Sequence, residues 1–322
     1  MMNMGPLPDA TEALPVELSI VIVNWNTREL LAQCLDSVAR DVGAMPHEVF
    51  VVDNASADGS VAMVRERFPW VRLIENAENV GFARANNQAL LEARGGCVIL
   101  LNSDAELQPG ALVALRDCLI RHPEAGAAGP IMLNTDRTLQ SSYGSLPSVW
   151  EEIIGPYVFD VFCKPWGRVG RWLRSARAHA SEMRVDRVSF ACTAIRRETL
   201  QSVGSLDERF EFYSEDYDWF RRLKEYGQSV VLCPSAQVVH HWGGSSRKRA
   251  DWALRQLYRS KRLYFAKHAG SSAEIVLRLG LALRFAVKAA WLSVVTPRSR
   301  ELTRGEGRVI YRTLLKDMAR PL

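Results

Sequence analysis

Short apolar runs that stop abruptly in polar clusters recur along the first half of the chain. Leu18 to Val23 ends in Asn24-Trp25-Asn26, and Glu48 to Val52 ends in Asp53-Asn54-Ala55-Ser56. Val71 to Ile74 leads into the loop Asn76 to Gly81, and Val98 to Leu101 runs straight into Asn102-Ser103-Asp104. Runs of this length, rich in β-branched residues, predict strands, and the near-continuous apolar ones predict burial on both faces. Between them the apolar positions change to helical spacing, as at Leu30, Leu31, Cys34, Leu35 and Val38, and again from Ala83 to Ala93. The turn cluster after Asp53 opens a further helix near Ser60. This β-α-β-α-β-α-β rhythm predicts an α/β fold with a mostly parallel, doubly wound sheet.

Past Asp104 the pattern predicts a helix over Gly110 to His122, a strand over Ala125 to Leu133 and a polar turn over Asn134 to Gln140. Aromatics, prolines and arginines then mix without a period, so residues 141–184 read as a variable insert. Order returns with a strand over Val188 to Ile195 and a short helix from Glu198 to Val203, ended by Gly204. Glu215, Asp216 and Asp218 open another helix, whose Trp219, Phe220 and Leu223 supply an apolar side. Ser229 to Leu232 and Ala236 to Val239 read as two short strands, the second running into His240-His241-Trp242-Gly243-Gly244. Two more helices are predicted, Ser246 to His268 and Ala273 to Val295.

Charge divides the 322 residues unevenly. From Arg247 to Leu322 there are 18 Lys and Arg against 5 Asp and Glu, a net +13, which leaves −8 for the rest of a chain whose total is +5. The expected organisation is a loose tail (1–15), an acidic α/β domain (16–246) and a basic helical extension (247–322). Such an extension suits an anionic surface, for which lipid headgroups and nucleic acid both qualify. Arg255, Arg259 and Arg262 fall on one stripe of its first helix. In the second, Glu274, Arg278, Arg284 and Lys288 fall in one arc of an otherwise apolar wheel. Several charges at bilayer depth are costly, so this helix reads as interfacial rather than spanning, with packing on the domain as the alternative. None of the six cysteines has CxxC spacing, and most lie in apolar runs. Reduced, buried thiols in a cytosolic compartment are expected, and the N-terminus shows no secretory pattern.

The strand ends carry the candidate chemistry. Ligands of open α/β sheets bind beyond the carboxyl ends of strands, where Asp53 and Asp104 share one rim. Asp104, with Asn102 two residues before it, can offer oxygens to a hard divalent cation such as Mg²⁺ or Mn²⁺, though the triplet also suits an ordinary turn. Asp53 suits either a turn cap or an acceptor for a base or ribose. Acids in a first helical turn complement its dipole, which accounts for one or two of Glu215, Asp216 and Asp218. Aromatics on both sides would also desolvate a carboxylate and raise its pKa toward base duty. The doubled His before a Gly pair suits a metal or phosphate contact. No GxGxxG follows the first strand, which argues against a dinucleotide site.

Taken together, these stretches resemble the family 2 inverting glycosyltransferases of the GT-A fold, most nearly the rhamnosyltransferase-like branch. The matching pieces are Ser19 to Asn26, Val51 to Ser60, Asn79 to Asn87, Leu100 to Asp104, Val203 to Phe210, Glu215 to Asp218 and the His240 segment. Their order and spacing from about Leu18 to Ser246 carry the resemblance, and the insert matches least. The resemblance implies a nucleotide-diphosphate sugar donor, rhamnose-like favoured, held by Asn24, Asn26, Asp53, Asn79, Arg84, Asn87, Asn102 and Asp104, with Asp53 on the base. It implies a metal held by Asp104, as the second carboxylate of the family's DxD motif, and by His240 or His241. Asn102 stands where the first Asp often is. Asp216, with Glu215, would be the catalytic base, and Asp207, Asp218 and Trp242 would meet the acceptor. Phe190 stands where many relatives have Gly and would crowd the acceptor side.

The implied reaction moves the sugar to a hydroxyl of a lipid-linked or polysaccharide acceptor in bacterial cell-surface glycan synthesis. The implied location is cytoplasmic, peripheral on the inner face of the plasma membrane, with an anionic membrane surface and no nucleic acid as partner; a homo-oligomer is left open. A sugar-phosphate nucleotidyltransferase is a second reading, but it lacks a Gly-rich phosphate loop after the first strand. A non-catalytic sugar-nucleotide-binding protein is a third, and it would have lost Asp104 or Asp216; both are present.

Overall fold

The computed structural model describes residues 16–155, 181–241, 250–294, 304–320 and 322. Two compact units emerge from their contacts. One contains the described residues up to Leu146, those from 181 to Glu211 and those from Glu215 to His241. The other contains Pro147 to Gly155, Phe212–Ser214 and the described residues from Ala250 onward.

The first unit opens as expected with β1 (Leu18–Asn24), α1 (Arg28–Asp41), β2 (His47–Asp53), α2 (Ser60–Arg67), β3 (Arg72–Glu75), α3 (Phe82–Glu92) and β4 (Cys97–Asn102). There follow β5 (Ala105–Leu107), α4 (Ala111–Arg121), β6 (Ala125–Leu133), β7 (Leu139–Gln140) and β8 (Tyr143–Gly144). Beyond the insert come β9 (Met183–Val185), β10 (Arg187–Val188), β11 (Cys192–Arg196), a helix α6 (Arg197–Val203), a helix α7 (Glu215–Glu225) and β12 (Ser229–His240). The main sheet runs β3-β2-β1-β4-β11-β6-β12-β5. Strands β1 to β4 are mutually parallel, β11 runs against both of its neighbours, and β6 and β12 are parallel to each other. Two reversals in succession make β12 run with β4, so His240 ends its strand on the rim where Asn24, Asp53 and Asn102 end theirs.

Side-chain alternation sends the strands' apolar residues to two cores. Leu18, Ile20, Ile22 and Ile99 pack with α1, α2 and α4 on one face. Val21, Phe50, Val98 and Leu100 pack with α3, α6 and α7 on the other. Each such side chain, fully buried, contributes about 1.5–3 kcal/mol. The two short strands expected near residue 236 are one strand, β12, whose register against β6 shifts between Cys233 and Gln237. The strand expected over Val188 to Ile195 is interrupted, because Val188 turns to pair with Tyr143 of β8. A Cβ on Gly129 would lie 2.6 Å from Val188, so the glycine permits that approach. Phe190 does not line an open acceptor face: it is buried with its ring 6.0 Å from Trp219 and 5.3 Å from Phe220.

The second unit is helical: α5 (Val149–Ile154), α8 (Ala250–Val294) and α9 (Arg304–Met318). Gly270 breaks α8 with φ 84°, a left-handed value that glycine tolerates best. Arg262 Nε donates to Glu274 Oε1 at 2.6 Å. Twelve residues of straight helix would separate those positions by about 18 Å, so the chain turns back at Gly270. The expected cationic stripe is not a single solvated face. Arg262 is buried in that pair, while Arg255 forks onto both oxygens of Asp317 at 2.6 and 3.0 Å. Beyond Val295, where the sequence pattern predicts no further helix, part of the basic extension forms α9. The charged arc of the second helix faces inward: Arg278 lies 4.0 Å from Glu274, and Arg284 donates to the carbonyl of Glu152.

In the first unit, Asn87 of α3 fastens the loop that leads to α7. Its Nδ2 donates to the Leu206 carbonyl at 2.9 Å and to Glu208 at 3.0 Å, and its Oδ1 accepts from the Leu206 amide at 3.0 Å. Asn87→Ala would leave the backbone groups of Leu206 buried and unpaired. The expected loss is about 2–3 kcal/mol of unfolding free energy, read as a lower urea midpoint with an unchanged slope.

Candidate active site

Three parallel strands end side by side. Asn24 lies opposite Asp53, and Val23 lies opposite Asn102. Left-handed backbone at Asn26 and Ala55 turns the chain sharply after β1 and β2. Asp53 is 2% exposed. Its Oδ1 accepts from Asn24 Nδ2 at 2.8 Å and its Oδ2 from the Ser56 amide at 2.8 Å. Each oxygen keeps acceptor capacity, since a carboxylate has about four lone-pair sites. Asn24 also donates to Ser56 Oγ and accepts from Thr27 Oγ1 at 2.6 Å. Thr27 is 2.9 Å from Ser103 Oγ. A chain of polar side chains thus joins Asp53 to the loop that carries Asp104.

The other expected donor contacts divide into two kinds. Asn26 accepts from the Ala57 amide and Asn79 from the Gly81 amide, so both shape loops. Asn87 holds the Leu206 segment as described. Arg84 is exposed, 3.9 Å from Glu208. Asn24 and Asn87 therefore act here as supports for neighbouring groups.

Asp104 meets His240. The short antiparallel pairing of β5 with β12 sets His240 opposite Ala105, and Asp104 Oδ1 lies 3.1 Å from His240 Nε2. Gln140 fixes the ring: its amide nitrogen donates to Asn134 Oδ1 and to the His240 carbonyl, so its oxygen faces His240 Nδ1 at 2.7 Å and accepts from it. Nε2 is thereby aimed at Asp104. The His241 amide donates to the Asp104 carbonyl at 2.9 Å. Asn102 Oδ1 and His241 Nε2 are buried without a hydrogen-bond partner among the described residues. Asp104 and His240, whose far nitrogen is anchored, bring together a carboxylate and an imidazole, ligand types that suit a divalent cation. Trp242 lies outside the described residues.

The third group stands at the start of α7, which the Phe190 contacts pack beside β11. Glu215 is buried, and its Oε2 has no hydrogen-bond partner among the described residues. Burial, then the charge of Asp216, raises its pKa to about 8. Burial also raises Asp216, but the Arg187 guanidinium opposes that rise. Arg187 itself lies over the Tyr217 ring at 4.6 Å. Burial thus pushes both carboxyls toward their protonated forms, and the cation acts against this at Asp216. Asp218 is fully buried and paired with Arg222 at 3.0 Å, and Arg222 also donates to the carbonyls of Val203 and Ser205. Asp207 is paired with Arg209. Thr27, Gln140 and Arg187 had no signal of their own in the sequence, because each acts through a residue distant along the chain; Arg222 lies at i,i+4 spacing from Asp218, a spacing the sequence does show.

A family model described as Glycosyl transferase family 2 matches residues 19–204. The chain belongs to this family. As a family 2 glycosyltransferase it is 31% identical over 293 residues to an N-acetylglucosaminyl-diphospho-decaprenol L-rhamnosyltransferase of Mycobacterium tuberculosis (strain H37Rv), covering 85% of this chain and 92% of that one. Two solved structures share the GT-A fold. GalNAc-T7 with UDP, GalNAc and Mn²⁺ superposes at a TM-score of 0.53 with 15% identity, over 79% of this chain and 51% of that one. The mannosyltransferase PcManGT from Pyrobaculum calidifontis, in complex with GDP-Man and Mn²⁺, superposes at 0.50 with 18% identity, over 94% and 84%. The family 2 glycosyltransferase therefore has the expected α/β class and fold.

The raised Glu215 carboxyl has a consequence for stability. The folded protein holds a proton there that the unfolded chain, titrating near 4.5, gives up. That stabilisation is complete below pH 4.5 and is lost as pH rises through about 8. Glu215→Gln cannot release the proton. The melting temperature of the variant should therefore gain on the parent's across this window and hold a constant lead above it. A difference that does not change with pH would refute the assignment.

Proposed function

We propose that this enzyme transfers rhamnose, with inversion, from a nucleoside-diphosphate donor to a hydroxyl of a lipid-linked N-acetylglucosaminyl diphosphate in bacterial cell-surface glycan synthesis. The observation that carries the reading is the meeting of Asp104 with an oriented His240, joined through Ser103, Thr27 and Asn24 to Asp53. The mycobacterial relative supports the sugar and the acceptor class.

Asp53, with one acceptor site open on each oxygen, receives N–H or O–H donors of the nucleoside. Asp104 and His240 would hold Mg²⁺ or Mn²⁺. When bound, such an ion offsets the charge that the leaving diphosphate gains. Asp216 takes the proton of the attacking hydroxyl, and protonated Glu215 spares it a second negative charge nearby. Arg187 opposes the rise that burial imposes on Asp216. Work on the inner face of the plasma membrane completes the proposal, because a lipid-linked acceptor is presented there.

Two substitutions test it separately. Asp104→Ala should abolish transfer and remove the gain in donor-nucleotide affinity that Mn²⁺ confers on the parent, followed by calorimetry. An equal gain in both proteins would exclude Asp104 as a ligand. Asp216→Asn should leave donor affinity unchanged while turnover falls by about 10²–10⁴. If Glu215→Gln abolishes turnover and Asp216→Asn does not, the base is the other carboxylate.

A further inference from the structure

The returning half of α8, beyond Gly270, is apolar on the side that faces away from its own unit. Leu277, Leu281 and Phe285 are fully buried. Every charge on this segment sits on their side or beside them. Glu274 takes Arg262, Arg278 lies against Glu274, Arg284 reaches the Glu152 carbonyl, and Lys288 is 3.4 Å from the Tyr311 hydroxyl. The exposed side carries Ile275, Leu279, Leu283, Val287 and Trp291, four apart, with Val276 beside them. Their exposures run from 43% for Val276 to 69% for Leu283. No charged residue among those described interrupts the stripe from 275 to 291, which extends about 24 Å along the axis. A helix at a water surface turns its polar side outward. This one does the reverse.

We propose that this stripe lies in the surface of an anionic lipid bilayer. Three observations favour lipid over a second copy of the chain. No helix among the described residues is long and apolar enough to cross a membrane, so the face suits shallow, in-plane burial. Residues 247–322 carry a net +13, and Arg312 and Lys316 of α9, in the same unit, are exposed. A segment of that net charge attracts anionic headgroups and repels its own copy. The choice of lipid also rests on the lipid-linked acceptor proposed above.

The test is co-sedimentation of the full chain with vesicles of phosphatidylcholine, alone or mixed with phosphatidylglycerol. The parent should sediment with the mixed vesicles, and high salt should weaken this only in part, because salt screens the charges but not the apolar contact. Leu279→Glu with Leu283→Glu, both at exposed positions, should lower the bound fraction at least about tenfold. Circular dichroism and donor-nucleotide calorimetry should match the parent, which separates lost docking from lost folding. Brominated phosphatidylcholine should quench part of the tryptophan fluorescence, and Trp291→Phe should remove that part. Undiminished vesicle binding by the double variant would overturn the proposal. So would a parent that ignores vesicles but forms a dimer which the double variant dissolves. A parent that binds vesicles yet transfers sugar to no lipid-linked acceptor would overturn the function proposed above and leave this face standing.

Discussion

Asp53, Asn24, Thr27 and Ser103 are hydrogen-bonded in series across the ends of three strands. The strands are buried on both faces, so the polar groups at their ends have little water to turn to. They satisfy one another instead, which spares each the cost of a buried, unpaired group. A side effect is geometric. The carboxylate at the end of β2 and the loop after β4 are held at a set separation by side chains rather than by flexible backbone. A donor that must be gripped at its nucleoside and at its diphosphate needs such a fixed span.

The opposite half of the sheet reaches the same rim by another route. One antiparallel strand, β11, separates β4 from β6, and a three-residue pairing of β5 with the end of β12 brings His240 to Asp104. Helix α7 then packs its aromatic side on Phe190 next to β11, with its acidic first turn largely buried as well. Apolar packing thus places a pair of carboxylates that burial would otherwise disfavour. The same burial raises both carboxyls, and the Arg187 guanidinium opposes that rise at Asp216.

Local pattern made much of this legible. The strands ending at Asn24, Asp53 and Asn102 announced themselves by apolar runs cut off by polar residues, and α1, α3 and α4 by their spacing. What pattern could not show was pairing at long range. β5 is three residues long and exists only because β12 lies beside it. Gln140 orients His240 from a hundred positions away, and Arg222 clasps the Leu206 loop from the far side of α7. The helical wheel of the second α8 segment showed a charged arc and an apolar remainder. It could not show that Arg262, Glu152 and Tyr311 would draw the charges inward, because those partners lie on other segments.

Gly270 gives the last of these features its phase. With φ at 84°, it sets where the second segment of α8 begins. An α-helix advances about 100° with each residue. Adding or removing one residue between Gly270 and Leu277 would rotate everything beyond it by that angle. An added residue would swing Arg278 toward the outer side, a removed one Arg284, and either would turn Leu279 and Leu283 away from it. Length is therefore the property under constraint in this short stretch. Apart from Glu274, which meets Arg262, its side chains can vary within the apolar and small classes, but its count of residues cannot.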